Sequence, residues 1–76
     1  MNKERRKRLE EIHQRLLEIT GEIEEIAGEE EEAYENLPVG IRDSERGQKM
    51  SDNVDNLYSV LDSIETIGDE IEQVLE

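Results

Sequence analysis

The chain has no cysteine, a single proline, no phenylalanine or tryptophan, and only two tyrosines, Tyr34 and Tyr58. Without cysteine there is neither a disulfide nor a thiolate metal site to supplement the packing. With so few aromatics, the side chains that usually dominate burial in a small core are missing. No apolar run approaches the ~20 residues that a membrane-spanning helix requires, and no apolar stretch follows the opening Met-Asn-Lys-Glu-Arg-Arg-Lys-Arg. Cations are absent between Arg15 and Arg42, a stretch that contains Glu29-Glu30-Glu31-Glu32. The formal net charge is −13 over 76 residues. Nothing resembles a phosphate-binding glycine loop after a strand, a nucleophile–base pairing, or zinc-ligand spacing. The expectation is a single-domain, non-enzymatic protein that needs no cofactor and no metal.

What is present is a repeat. Leu9, Ile12, Leu16, Ile19, Ile23, Ile26, Ala33 and Leu37 follow one another mainly at steps of three and four, as do Met50, Val54, Leu57, Leu61, Ile64, Ile71 and Leu75. That period keeps one seam of an α-helix turned toward a partner. It also argues against disorder, which the charge content alone would suggest. Asn36-Leu37-Pro38-Val39-Gly40 is the one strong break, because proline disfavours helical geometry at the residue before it and glycine permits a turn. The reading is all-α: an antiparallel two-helix hairpin, with a first helix over about 3–36, a loop over about 37–43, and a second helix over about 44–76. Asp43 or Ser44 suits the second helix's N-cap. At ~1.5 Å per residue each helix is roughly 50 Å long.

Heptads place Leu9, Leu16, Ile23, Glu30 and Leu37 at a and Ile12, Ile19, Ile26 and Ala33 at d in the first helix. The second has Gly47, Val54, Leu61, Gly68 and Leu75 at a, with Met50, Leu57, Ile64 and Ile71 at d. Folding at residue 40 brings Leu16 and Leu17 toward Gly68, and Leu37 toward Gly47. Apolar residues also lie beside the seams: Val60, Ile67 and Val74 at g, and Ala27 and Tyr34 at e, plus Leu17. A stripe this wide belongs to a bundle, so two hairpins are expected to dimerise into a four-helix bundle, or the strip to dock on another protein.

The charges are segregated. Lys3, Arg5, Arg6, Lys7 and Arg8 open the chain; Arg42, Arg46 and Lys49 follow the break; acids fill Glu18 to Glu35 and the C-terminal end. An antiparallel hairpin is expected to set the basic start beside the acidic end, and the Glu29–Glu35 block near Arg42, Arg46 and Lys49. His13, the single histidine, reads as a packing or surface residue. Glu30 at a seam position is either paired or marks an open stretch. The Glu29–Glu32 run reads as a solvated face, lacking the glycine and spacing of a calcium loop. The basic start is not read as a nucleic-acid site, since the whole chain repels phosphate.

The densest set of specific residues is Glu32-Ala33-Tyr34-Glu35-Asn36-Leu37-Pro38 followed by Asp43-Ser44-Glu45-Arg46-Gly47. There the chain resembles a group of small acidic proteins from bacteriophages and prophages that pair E-E-A-Y-E-N-L-P with S-E-R-G and then an acidic heptad-like helix. The resemblance covers residues 30–47 and, more loosely, both helices. It implies a phage or mobile-element origin and a helical hairpin, implies no activity, and transfers no functional residue; the expected location, from the lack of a membrane-spanning run, is the cytoplasm of a bacterial host cell. The expected role is an accessory protein that binds and inhibits or modulates a host protein, such as a defence component. Tyr34, Asn36, Leu37, Arg42, Glu45, Arg46, Tyr58, Val60, Ile67 and Val74 are the candidate interaction residues. Two alternatives stay open: an acidic DNA mimic that occupies a DNA-binding protein, and a sponge that holds a small signalling nucleotide between hairpins through Arg42, Arg46 and Lys49.

Overall fold

The computed structural model describes residues 1–76 and consists of two long helices joined by a helical tip. Helix α1 spans Lys3–Glu35, α2 is the single turn Val39–Arg42, and α3 spans Glu45–Leu75. The two long helices lie against each other in a rod of 59 × 15 × 13 Å. The hairpin and the break at Pro38 follow the sequence pattern. The expected loop is partly helical, because Pro38 supplies an N-terminal boundary for α2 and its carbonyl accepts from Ile41 and Arg42.

Side-chain oxygens start both long helices. Asn2 accepts from the Arg5 amide at 2.8 Å, and Ser44 accepts from the Gly47 amide at 3.4 Å. Each satisfies one of the amides that the first turn leaves free. Ser44, not Asp43, is therefore the cap of α3. At the tip, Arg42 donates to the carbonyls of Glu35 at 2.6 Å and Leu37 at 3.3 Å, and its guanidinium lies 5.7 Å from the Tyr34 ring centroid. One side chain thus closes the carbonyl end of α1 and stacks on its last aromatic.

Three expectations about packing are corrected. In α1 the a residues face α3, but the d residues Ile12, Ile19, Ile26 and Ala33 are exposed. The e residues His13, Thr20, Ala27 and Tyr34 take their place, with Ala27 fully buried. Helix α1 has apolar side chains over an arc wider than one neighbour covers; small Ala27 on the contact line lets the backbones close in. Helix α3 packs through a and d as its pattern indicates, except that its two glycines do something different. An added Cβ at Gly47 would stand 2.1 Å from the Arg42 carbonyl oxygen, so the glycine admits the backbone of α2 rather than Leu37. At Gly68 the nearest atom is His13 Nε2 at 4.0 Å, not a leucine.

The third correction concerns charge. Arg6 and Glu10 form an ion pair within α1 at 3.6 Å, and His13 Nε2 lies 3.3 Å from the Glu72 carboxylate between the helices; no other charged side chains meet. The Glu29–Glu35 block makes no ion pair with Arg42, Arg46 or Lys49, and Lys3, Arg5, Lys7 and Arg8 make none with the end of α3. Arg42 is spent on carbonyls, and the first residues of α1 overhang the other helix. Glu30 is partnered: Asn53 donates to it at 3.3 Å, a polar link that fixes register along the seam.

The glycines separate by what surrounds them. Gly21 and Gly28 have open space where a Cβ would go, whereas Gly47 faces backbone that cannot swing away. Gly28→Ala should raise stability by about 0.5–1 kcal/mol. Gly47→Ala should lower it by about 1–3 kcal/mol through overpacking. Thermal denaturation followed by circular dichroism resolves the difference, since a domain of this size moves its midpoint by about 4–8 °C per kcal/mol.

Candidate interaction surfaces

The candidate residues fall in three separate places. Tyr34, Leu37 and Arg42 meet at the tip, as described, and are half-buried by one another. Asn36 caps the end of α1, and Glu45 and Arg46 stand exposed on the first turn of α3 without side-chain bonds. The guanidinium of Arg42 is turned inward, and its Nε is buried without a partner. Of the three cations assigned to a phosphate site, Arg42 is thus committed to the fold.

Tyr58 lies elsewhere, on one side of the rod. Its hydroxyl donates to the Glu31 carboxylate at 2.6 Å, tying α3 to α1 across the seam. That bond, then partial desolvation, and then the charges of Glu31 and Glu35 raise the phenol above its ordinary value of 10.0. Tyr58 borders a groove of about 600 Å³ between the helices. Leu16, Leu61, Ile64 and Gly68 form its apolar floor, and Leu17 and Tyr58 its walls. Glu24, Asp62, Glu65, Asp69 and Glu72 rim it, and of these five only Glu72 has a basic side chain against it, His13 at 3.3 Å. The groove was partly legible: Leu17 and Tyr58 sit beside their seams on the e and b side. His13 and Gly68 as neighbours required knowing that α1 turns its e row inward.

Val60, Ile67 and Val74 lie on the opposite side of the rod, because in an antiparallel pair the g flanks of both helices fall on one side and the e flanks on the other. There they meet the row that α1 leaves out. His13 opposite Glu72 and Glu30 opposite Asn53 set the register. On that ladder Ile12 lies abreast of Val74, Ile19 of Ile67, and Ile26 of Val60. All six side chains are between 40% and 55% exposed. The heptad pattern places these isoleucines on the hairpin's own seam, so spacing alone does not show this face.

No group of three or more His, Asp or Glu side chains is placed to hold a metal ion, and no helix is long and apolar enough to cross a membrane. No protein-family model, curated protein or solved structure matches the chain.

The Tyr58–Glu31 bond has a defined pH dependence. A phenol raised in the folded state contributes stability that is present below pH 10 and lost as pH climbs through the raised value. Glu31→Gln should shift the phenolate absorbance titration of Tyr58 to lower pH, with Tyr58→Phe identifying its share of the signal. An unchanged midpoint in Glu31→Gln would show that the bond is absent in solution.

Proposed function

We propose that the protein is a non-enzymatic interaction module: two hairpins pair into a four-helix bundle that binds and modulates a host protein through its acidic grooves. The observation that carries the pairing is the ladder of three exposed apolar rungs. Large exposed apolar surfaces of this kind mark interfaces, and homodimers are the commonest assemblies. Pairing through the rungs leaves the groove of each hairpin facing outward. An apolar floor under a carboxylate rim suits a basic amphipathic segment, whose apolar side chains fill the groove while its cations meet the rim. A phage accessory role directed at a bacterial defence protein agrees with the resemblance at residues 30–47.

The uncompensated carboxylates along Glu18 to Glu35 favour a second reading, in which the acidic surface occupies a DNA-binding protein. Competition by duplex DNA separates the two: it displaces the target of a mimic and leaves a groove-bound basic helix in place.

Sedimentation equilibrium over a range of concentrations should give twice the chain mass, falling to the chain mass in Ile19→Glu and Ile67→Glu with helicity retained. A wild-type monomer would refute the pairing. A fluorescent Leu/Lys amphipathic peptide should bind the wild type and lose at least tenfold in affinity in Glu65→Lys/Asp69→Lys, with a steep fall in salt. Equal binding by both proteins would refute the groove.

A further inference from the structure

From the charge rows that flank the apolar ladder, we infer that the second copy docks antiparallel, end over end, its two-fold axis crossing the rod at the Ile19–Ile67 rung. This rests on the pairing proposed above and adds its orientation. Three features of the exposed side point the same way.

First, the ladder is symmetric about its middle rung. Turning a second copy end over end about that rung brings Ile12 against Ile26, Ile19 against Ile19, Val60 against Val74 and Ile67 against Ile67. Helix α1 then runs antiparallel to the α1 of the second copy, and α3 to its α3. The apolar rungs alone would also accept a second arrangement, with both tips at one end and each α1 lying on the other copy's α3. Charge separates the two.

Second, the row beside the isoleucines on α1 reads Arg8, Arg15, Glu22, Glu29 and changes sign at the level of Ile19. None of these four side chains has an ion-pair partner within the hairpin. End-over-end pairing sets Arg8 against Glu29 of the second copy and Arg15 against its Glu22, and the symmetry repeats both pairs. Tips-together pairing offers this row only Glu70 from the facing helix, and then Ser63 and Asn56.

Third, the register carries Met1 to Arg8 beyond the last turn of α3, where Arg6 reaches back to the Leu75 carbonyl. Lys3, Arg5, Lys7 and Arg8 thus project without making an ion pair in the hairpin. End-over-end pairing lays this overhang along the other copy's Glu29–Glu35 block. Tips-together pairing crowds both overhangs at one end and both acidic blocks at the other, so like charges meet.

The test is a charge swap on the full chain. Arg8→Glu/Arg15→Glu and Glu22→Arg/Glu29→Arg should each weaken self-association by about tenfold or more, since four pairs become repulsive. Mixed in equal amounts, the two variants should form a heterodimer at least as tight as the wild type. Because the chain has no native cysteine, linking gives an independent readout. Ile19→Cys alone should oxidise to a covalent dimer, because Ile19 lies on the axis. If Ile19→Cys links only when mixed with Ile67→Cys, and the charge variants do not complement, the orientation is overturned while the dimer stands. If the wild type sediments as a monomer, both are overturned.

Discussion

A helix in a two-membered rod has one neighbour, and that neighbour covers one arc of its surface. Everything distinctive about this protein follows from α1 carrying more apolar arc than α3 covers. The contact line runs through Leu9, Leu16, Ile23 and Leu37 and is completed by His13, Thr20, Ala27 and Tyr34. Ala27 is the only hydrophobic residue buried outright, so the hairpin has almost no interior of its own. A chain of this size needs a further source of stability, and it has no cysteine for a disulfide and no cluster of three or more acidic or histidine side chains placed to hold a metal ion. The isoleucine row that the hairpin leaves outside is apolar surface still without a partner.

The two sides of the rod divide the remaining chemistry. One side is an apolar ladder bordered by a row whose charge reverses along its length. The other is a groove whose rim carries carboxylates and one histidine. A surface that is apolar and balanced in charge suits a copy of itself. A surface with a single sign of charge cannot face itself and suits something basic. On this account the sign pattern along α1 does not stabilise the hairpin. It directs what the hairpin meets.

Much of the architecture was legible from residue spacing. The helical hairpin, the break at Pro38, a cap at Asp43 or Ser44 and the a and d rows of α3, its two glycines apart, follow from periodicity and turn chemistry. The facing of α1 did not, because Leu17 at b, Ala27 and Tyr34 at e, and isoleucines at d give that helix several apolar arcs. Periodicity fixes the pitch of a stripe but not which of two adjacent stripes a single neighbour selects. Gly47 shows the same limit. Its position indicates close approach, but what approaches is α2, a helical turn inside the expected loop. The inward use of Arg42 on the Glu35 and Leu37 carbonyls is likewise a property of the tip's three-dimensional path, invisible to a count of cations.

The central claim is that the isoleucine row left outside the hairpin is covered in solution by a second copy. Methyl NMR with a soluble paramagnetic probe tests it on the side chains themselves, using Ile23 and Ile64 of the inner seam as references. The account predicts that the methyls of Ile12, Ile19 and Ile26 are shielded from the probe as well as those references are, and lose that shielding on dilution. Full relaxation of these three methyls at every concentration, with Ile23 and Ile64 still protected, would contradict it.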